Sequence, residues 1–413
     1  MEELTTLTSN DSARDLEKSK VPWQSSVEVR VLRSVPELEK IRTFWKSSPG
    51  HPESEMDFFL TLLRSNPDIV RPHVLVLYKD GKPDAILAGR VDKRPVDRLR
   101  IGYLRVKLRA KLLYFVCGAL RGADSPENCE LLVRELCRNL NSGEADLAYL
   151  NFLTEGSNLR VCAKNIPSRL CRDHVSHSQL HFSASIPRTM DEFYLRLSPK
   201  VRQTEKRKVR KVATEFSNDV RLRCFEDPSE VDLLAETAER IAKTSYQRAL
   251  NVGFFDSSEE RASLRLKAEA RCLRGYVLYL AGCPCAFWIG DIDHGVFGSG
   301  FLGFDPAYAK HSPGMYLLLK VIETFCDEEP RRVDRIDFGI GPARYKELLS
   351  NEVWNEIETY IFAWSVKGVM LNFVKTAVTG TNSAFKSALD RAGVLEKIKK
   401  AWRVRLSRRQ PTT

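Results

Sequence analysis

The chain has 413 residues, of which 43% are hydrophobic and 29% charged, and a formal net charge of +11. This length exceeds what one hydrophobic core usually serves, so we expect two domains, and the composition excludes a fibrous or wholly disordered chain. No apolar run approaches the roughly 18 residues of a membrane span, and the polar, acidic start lacks the order of a secretory signal. The sequence therefore predicts a cytoplasmic protein with a disordered tail over residues 1–25.

Cysteine and histidine spacings do not indicate a metal site. The ten cysteines are scattered without a CxxC pair, which favours reduced thiols in a reducing compartment. His174, His177 and His181 lie three and four residues apart, but few acidic residues accompany them and no CxxC pair does, so we expect exposed imidazoles at the entry to a strand. The positive net charge indicates an anionic partner, which could be a phosphate-rich cofactor, a nucleic acid or a negatively charged membrane face.

Comparison of the chain with itself reveals an internal repeat. The string VLYKDGKPDAILAG at 76–89 aligns without a gap with VLYLAGCPCAFWIG at 277–290, and seven of the fourteen positions are identical. Each copy has two apolar strands around a glycine-containing turn, which is typical of a β-hairpin.

The predicted elements follow each hairpin in a similar order. After the first come strands at 100–106 and 112–117, a helix at 127–140 and a strand at 147–150; after the second come a strand at 296–303, a helix at 313–326 and a strand at 335–338. This order indicates a duplicated mixed α+β unit, with a boundary at the turn Ile186-Pro187-Arg188.

A strongly basic helix is predicted to begin after Ser198-Pro199. Between Lys200 and Lys211 it has seven cations and one acid, Glu205. Apolar residues on one face indicate that the helix packs on the domain. The basic face is either a solvated surface or an electrostatic cradle for a phosphorylated ligand or an acidic surface.

The first segment that could bind a ligand runs from Gly303 to Lys320. A strand is predicted to end at Gly303, and Ser312 is predicted to cap a helix whose first residue is Pro313. The free N–H groups and partial positive charge at a helix N-terminus can hold a phosphate, and Gly314 allows a ligand to approach closely. Lys310 and His311 would add cationic or donor groups.

A second segment follows the strand at 335–338. Asp337 stands at its end, where polar side chains usually point into a cleft, and Gly339 and Gly341 form a glycine-rich turn. Tyr345 and Lys346 follow one helical turn later. The lone GxG is not a dinucleotide fingerprint, because the third glycine and the downstream acid are missing.

These strings resemble a known family. Gly303 to Pro306, Ser312-Pro313-Gly314, Asp337-Phe338-Gly339 and Tyr345-Lys346 together resemble the GNAT acetyltransferase-like domain of proteins linked to cellulose and exopolysaccharide biosynthesis. That family is similar to the Fem-type peptidoglycan aminoacyl transferases, which have two tandem GNAT-like domains. The resemblance covers residues 190–365, and the repeat extends it to the first half.

The resemblance implies an α+β fold of two tandem GNAT-like mixed sheets with flanking helices and a C-terminal helical extension. The implied domains are 26–185, a degenerate copy, and 186–365, the acyltransferase. No permanently bound cofactor is implied, but acyl-CoA is the expected co-substrate, bound at the loop before the central helix. The implied donor-binding residues are Phe301, Gly303, Lys310, Ser312, Pro313 and Gly314, and the implied acceptor-binding residues are Tyr308, Gly339 and Lys346.

N-acyl transfer requires a neutral amine, a polarised thioester carbonyl and a protonated leaving group. Backbone N–H groups near residues 301–303 are candidates for polarising the carbonyl. Asp305 or Asp337 could accept the amine proton, and Tyr308 or Tyr345 could protonate the leaving group; Asp305, Asp337 and Tyr345 are the catalytic candidates. Lys346 is the candidate for contact with an anion.

The identity of the donor remains open at this point. The strict GNAT phosphate loop, Arg/Gln-x-x-Gly-x-Gly/Ala, is absent, and Ser312-Pro313-Gly314 stands in its place. An N-acyltransferase that acylates an amine of a sugar, lipid or peptide from CoA is the first interpretation. A carrier-protein donor, a Fem-type aminoacyl transferase that uses charged tRNA and a non-catalytic GNAT-like binding module are the alternatives.

The last predicted element, residues 366–413, is a basic amphipathic helical tail. An apolar stripe of Val394, Ile398, Trp402 and Leu406 alternates with lysines and arginines. The tail either packs on the domain with a charged exterior or makes peripheral contact with an anionic membrane, at its inner face.

Overall fold

The computed structural model describes residues 26–48, 51, 54–93, 96–101, 104–108, 110–217, 219–249 and 252–391. They form a mixed α+β structure with one large sheet and flanking helices. The predicted fold class is therefore confirmed. The predicted N-terminal tail and the part of the C-terminal tail after Arg391 lie outside the described residues.

The first half of the chain carries the first nine strands and five helices. The strands are β1 Val27–Leu32, β2 Ile69–Pro72, β3 Val74–Lys79, β4 Lys82–Asp92, β5 Val96–Ile101, β6 Leu104–Leu108, β7 Leu112–Gly122, β8 Leu147–Thr154 and β9 Ser178–Ser185. The helices are α1 Val35–Glu39, α2 Arg42–Ser47, α3 Met56–Ser65, α4 Pro126–Asn141 and α5 Asn158–Asn165.

The second half carries the remaining elements. The strands are β10 Val220–Phe225, β11 Leu273–Leu280, β12 Cys283–Asp293, β13 Val296–Phe304, β14 Arg335–Ile340 and β15 Glu352–Phe362. The helices are α6 Met190–Arg196, α7 Pro199–Glu215, α8 Val231–Thr244, α9 Tyr246–Ala249, α10 Ser258–Glu269, α11 Pro313–Asp327, α12 Arg344–Leu349 and α13 Val366–Arg391, with short 3₁₀ helices at Pro228–Glu230 and Pro306–His311.

The predicted repeat is visible in the geometry of the two hairpins. Hairpin β3–β4 changes register between Leu77 and Tyr78, and hairpin β11–β12 changes register at the equivalent Leu278 and Tyr279. Both turns use two residues with positive φ, the second of which is a glycine. Such residues match the right-handed twist of a hairpin. The duplication thus extends from the sequence to a shared irregularity of the backbone.

Thirteen of the fifteen described strands form one sheet in the order β1-β3-β4-β7-β8-β15-β9-β14-β13-β12-β11-β10, with β2 paired to β4, and β5 and β6 form a separate pair. Counted inward from β1 or from β10, each position in the sheet is occupied by equivalent strands of the two repeats. In each half one parallel pair, β7 with β8 and β13 with β14, follows the antiparallel hairpin strands.

Each half contributes its last strand to the other half. Strand β9, from the first half, pairs with β14, whereas β15, from the second half, pairs with β8. Strands β9 and β15 also pair with each other, from Ser183 opposite Glu352 to Ser178 opposite Ile357. The predicted boundary between residues 185 and 186 therefore divides the chain but not the sheet, and the two predicted mixed sheets are joined into one.

Helices cover the apolar faces of the sheet. Ser125 caps α4 by accepting a hydrogen bond from Asn128 N–H, and Pro126 occupies the first turn, as expected for a helix start. In the second half α11 buries Leu317, Leu318 and Val321 against one face of the sheet. Helix α8 covers the opposite face, and its buried side chains pack with those of α10.

One predicted element was wrong. A single strand was expected at 100–106, but this region forms the antiparallel pair β5 and β6, in which Ile101 lies opposite Leu104. Gly102 stands between the two strands in the sequence. The prediction extended one apolar run across a residue that favours turns.

Two repeat-equivalent glycines, Gly89 and Gly290, adjoin the irregular part of the sheet, and they give a test of the fold. A Cβ at Gly290 would overlap the carbonyl oxygen of Gly298 and lie 2.6 Å from the Phe297 ring. Gly290→Ala is therefore expected to lower the free energy of unfolding by about 1–3 kcal/mol, measured from urea unfolding curves.

The matched control is Gly380→Ala, in α13, where a Cβ meets no atom within 4 Å. This change should be neutral or stabilise the protein by up to about 1 kcal/mol, because alanine favours a helix. Equal losses of stability in the two variants would contradict the close packing at Gly290.

Candidate active site

A cavity of about 930 Å³ lies where the two halves of the sheet meet. The first half lines it with side chains that include Phe58 and Asn151, and the second half with Lys267, Gly298 and Asp337. A concave, well-formed cavity with convergent polar groups is where a ligand is most often bound.

The cavity extends into a gap between β13 and β14. The two strands pair only from Val296 to Gly298 and from Arg335 to Asp337, after which they separate. A bulge places Gly300 as an extra residue between Ser299 and Phe301 in β13. Residues 298–300 line the cavity, so this edge of β13 presents backbone groups to it.

The first half closes the equivalent gap with aromatic rings. Tyr114 and Tyr149 face each other across β7 and β8, where the second half has Gly298 and Asp337. The two rings lie 5.4 Å apart, and the Tyr149 hydroxyl donates a hydrogen bond to Asn151. The gap in the second half is open because a glycine and an aspartate replace the two tyrosines.

A buried polar cluster forms one wall of the cavity. His181 Nε2, on β9, lies 2.6 Å from Asp337 Oδ1, on β14. His181 Nδ1 lies 3.0 Å from Glu356 Oε1, on β15, as an ion-pair contact. Trp354 stacks on the imidazole at 4.3 Å and donates its indole N–H to Glu356.

Interactions within the cluster favour the charged forms of His181 and Asp337. Burial opposes a charge on His181, but Asp337 and Glu356 outweigh it and raise the pKa of the imidazole to about 9. Burial likewise opposes the charge on Asp337, but His181 and the N–H of Gly339 hold the pKa of this carboxyl below its ordinary value. An imidazolium therefore lies between two carboxylates at neutral pH.

One carboxylate oxygen of Asp337 is held by contacts within the protein, and the other is available to a ligand. His181 and the Gly339 N–H, at 2.7 Å, both contact Oδ1. The side chain is 22% exposed and lines the cavity. Its Oδ2 can therefore accept a hydrogen bond or a proton from a ligand.

Lys346 lies beneath the glycine-rich turn. It is buried, and its Nζ donates hydrogen bonds to the carbonyl oxygens of Gly339, at 3.2 Å, and Ile340, at 2.8 Å. Burial lowers the pKa of Lys346 to about 8. Its position holds the end of β14, whereas the predicted contact with an anion would need it to face the cavity.

The predicted donor loop follows β13. Ser312 occupies the N-cap position of α11 and Pro313 is its first residue, as predicted, but the Ser312 backbone is left-handed and its side chain makes no cap hydrogen bond. Tyr316 N–H donates to the carbonyl of Ser312 at 3.0 Å. The N–H groups of Gly314 and Met315 precede this first bond and have no acceptor within the helix.

The other predicted donor residues have distinct surroundings. Lys310 is exposed and lies 4.0 Å from Glu215, at the end of α7. Phe301 packs on Phe254, and a Cβ at Gly303 would lie 2.6 Å from the Phe287 ring. None of the six residues, Phe301, Gly303, Lys310, Ser312, Pro313 and Gly314, belongs to the cavity lining.

Three predicted site side chains also lie outside the cavity. Asp305 accepts a hydrogen bond from Ala307 N–H and caps the 3₁₀ helix, as an Asp-Pro turn does. Tyr308 and Tyr345 pack at the border of the core, Tyr345 with its ring edge-to-face on Phe338. Of the predicted residues the structure brings only Asp337 and Gly339 to the cavity.

Two members of the cluster, His181 and Glu356, were not among the predicted site residues. His181 was expected to be an exposed imidazole, but only 6% of the residue is exposed, because β15 and β14 cover it on both sides. Glu356 was not predicted at all, and it is equally buried. Charged residues in the middle of apolar strands were the available signal.

The basic helix α7 lies beside the donor loop. Glu215, at its end, lies 3.3 Å from the buried His311, whose ring contacts Phe216. Among the described residues, ion pairs involve Lys206 and Lys208 of this helix. Within the described residues, no ion pair is found for the other five cations of the helix, which are Lys200, Arg202, Arg207, Arg210 and Lys211.

Residues 199–347 match a family model described as an acetyltransferase (GNAT) domain. This segment contains α7, the donor loop, the gap between β13 and β14, and Asp337. The match identifies the second half as the domain of an acyltransferase, and the protein is therefore an enzyme of this class. GNAT enzymes use acyl-CoA as co-substrate.

Comparisons with solved structures extend the likeness over both halves. FemX is similar at a TM-score of 0.52 and 10% identity, covering 84% of this chain and 100% of that chain. L-PGS from Bacillus licheniformis has a TM-score of 0.49 at 12% identity, covering 86% and 99%. The C-terminal domain of a putative lysylphosphatidylglycerol synthetase from Agrobacterium fabrum has 0.46 at 11%, covering 74% and 88%. At such identities the likeness to FemX shows the fold alone.

No curated protein matches the chain.

Within the part of the chain that the structure describes, every helix falls short of what a membrane-spanning segment needs in length or hydrophobicity. In the same residues no group of three or more histidine, cysteine or acidic side chains is arranged to hold a metal ion.

The raised pKa of His181 predicts a pH dependence of stability. Above pH 6.5 the unfolded chain loses the imidazole proton, which the folded protein keeps up to about pH 9. Stability from this group is therefore complete below pH 6.5 and declines as the pH rises. We expect the stability advantage of the wild type over His181→Gln to fall by about 1–2 kcal/mol between pH 6.5 and 8.

The measurement is urea unfolding of both proteins across this range. It stops at pH 8 because Lys346, whose pKa is lowered to about 8, makes stability rise with pH above that point. A constant difference between wild type and variant over the range would show that folding does not raise the pKa of His181.

Proposed function

We propose that the protein is an N-acyltransferase that moves an acyl group from a thioester donor, such as acyl-CoA, to an amine of a sugar, lipid or peptide. The observation that carries the proposal is the Asp337–His181 pair beside the gap between β13 and β14. It lies at the wall of a cavity large enough for an acceptor, in a segment that matches an acetyltransferase domain.

The donor is proposed to lie along β13. Its phosphate end would meet the N–H groups of Gly314 and Met315 at the start of α11, with the cations of α7 nearby. Gly300 and Phe304 are four residues apart on β13, a span of about 13 Å, and a Cβ at Gly314 would lie 3.4 Å from the Phe304 ring. An elongated donor such as a pantetheine thioester suits this span, and its carbonyl would meet the N–H groups of the bulge.

The acceptor is proposed to enter the cavity between the halves as an ammonium. Asp337 and Glu356 supply the negative charge that attracts it, and Glu356 Oε2 is buried without a hydrogen-bond partner among the described residues. His181 is a positioning residue, because its imidazolium keeps Asp337 ionised and fixes the direction of its free oxygen.

The bound ammonium first loses one proton to water, which leaves a neutral amine. The amine nitrogen then forms a bond to the carbonyl carbon, and the C–S bond breaks. The second proton that the nitrogen loses passes to Asp337 Oδ2, which holds it briefly because the pKa of this carboxyl lies below its ordinary value. The departing thiolate takes up that proton, directly or through water. The products are an amide and a thiol, and Asp337 returns to its starting state.

A second candidate is an aminoacyl transferase that takes its donor from tRNA. The five cations of α7 without an ion pair among the described residues favour it, because they form a surface on which a polyanion can bind.

We place either reaction in the cytoplasm, in polysaccharide or envelope biosynthesis. The ten free cysteines support a reducing compartment.

To test the proposal, the full chain is incubated with acyl-CoA and a panel of amino sugars, amino lipids and peptides. New amides are detected by mass spectrometry. Direct detection avoids thiol reagents, which would react with the free cysteines. Saturable donor binding is measured in parallel for acyl-CoA, acyl-carrier protein and charged tRNA. The proposal fails if none of the three donors binds.

Replacing the proposed proton acceptor should separate chemistry from binding. Asp337→Asn keeps the size of the side chain but removes its charge and basicity. We expect the turnover rate to fall by about 10²-fold or more, while the dissociation constant for the donor stays unchanged.

The matched control is Asp334→Asn, the same change three residues earlier. The Asp334 side chain is 77% exposed and pairs with Arg331. Turnover by this variant should equal that of the wild type. If Asp337→Asn retained full turnover, Asp337 would not be the proton acceptor.

A further inference from the structure

An exposed apolar surface lies at the start of α13, away from the cavity. It comprises Leu170, Trp364, Val366, Met370 and Phe373, which we call the apolar patch. Their exposed fractions are 47%, 58%, 91%, 58% and 75%. Side chains of this size that share one helix face and adjoin an apolar loop residue mark a surface for interaction.

The helix cannot rotate to bury the patch without losing polar contacts. Asn372 donates hydrogen bonds to the carbonyls of Leu170 and Arg172, both at 2.9 Å. Lys375 is buried and forms an ion pair with the equally buried Asp173. Breaking a buried ion pair costs several kcal/mol, so these contacts fix the face that α13 presents.

The charge of the surrounding chain indicates what the patch contacts. Residues 366–413 contain eleven lysines and arginines and two acidic residues, a net charge of +9 out of +11 for the whole protein. Lys367, beside the patch, is 52% exposed and forms an ion pair with Asp146. An apolar surface that is followed along the chain by a strongly basic sequence is complementary to an anionic bilayer, which offers both an apolar interior and negative headgroups.

Other occupants fit these observations less well. A second copy of the chain would bring two segments of charge +9 together, and repulsion between them would oppose pairing. Five side chains are also few beside the 20 or so residues per partner that a stable protein interface usually needs.

We propose that the apolar patch and the basic segment 366–413 bind the surface of an anionic lipid bilayer. Trp364, Val366, Met370 and Phe373 insert between the headgroups, and the net positive charge of residues 366–413 attracts the anionic bilayer. This inference is independent of the proposed transferase chemistry, because the patch shares no residue with the cavity.

The test is co-sedimentation of the full chain with vesicles of phosphatidylcholine alone or mixed with phosphatidylglycerol. Wild type should bind the mixed vesicles, bind phosphatidylcholine weakly and dissociate as salt is added. Met370→Glu with Phe373→Glu should weaken binding to mixed vesicles at least about tenfold, because it places two charges where two apolar side chains insert.

The matched control is Leu195→Glu with Leu233→Glu, which adds the same charge at exposed leucines of α6 and α8. Their exposed fractions are 70% and 45%. This variant should bind vesicles as the wild type does; equal loss in both variants would show a nonspecific effect of charge and overturn the role of the patch. Circular dichroism of each variant checks that it is folded.

Two further outcomes would also overturn the proposal. If light scattering shows a dimer that the Met370→Glu, Phe373→Glu variant converts to a monomer, the patch is an interface between copies. If truncation after Arg391 leaves vesicle binding unchanged or tightens it, the basic end does not contribute to binding and the segment is not part of the membrane surface.

Discussion

The structure depends on the pairing of β9 with β15 at the centre of the sheet. Each strand belongs to one half of the chain and completes the other half, because β9 lies on β14 and β15 lies on β8. Without the exchange β8 and β14 would each present an unpaired edge in the middle of the molecule. The same pairing brings His181 of the first half between Asp337 and Glu356 of the second. The site therefore exists only when both halves are folded together.

The duplication explains why only one of the two halves has an open gap. At equivalent positions of the parallel pairs the first half has Tyr114 and Tyr149, and the second has Gly298 and Asp337. In the first half Arg90 also covers the Tyr114 ring at 4.4 Å. Aromatic rings and a buried guanidinium fill the space with packing contacts, whereas a glycine and a carboxylate leave it to a ligand. The first copy of the fold thus fills its gap between strands, whereas the second leaves its gap open to the cavity that both halves line.

The sequence was sufficient to predict local features of the fold, but it was insufficient to predict contacts between distant parts of the chain. Amphipathic periodicity placed α4, proline at the first helical position placed α11, and a short apolar run placed β14, while the repeat predicted two similar hairpins. The cavity could not be predicted, because His181 and Asp337 are 156 residues apart and meet only through the strand exchange. A sequence pattern does not specify which strand pairs with which when both have apolar faces. The loop 303–314 was easier to select, since its turn and capping residues are local signals, but local signals did not place it at the cavity.

The exchanged strands also connect the cavity with the apolar patch. The loop that holds Asp173 against Lys375 of α13 leads directly into β9, which carries His181. On the other side β15, which carries Glu356, ends at Phe362, only a few residues before α13 begins. Two covalent connections and a buried ion pair therefore fix the patch relative to the cluster. Because sheet strands and buried ion pairs deform little, a bilayer bound at the patch would hold the cavity at a constant distance and orientation from its surface.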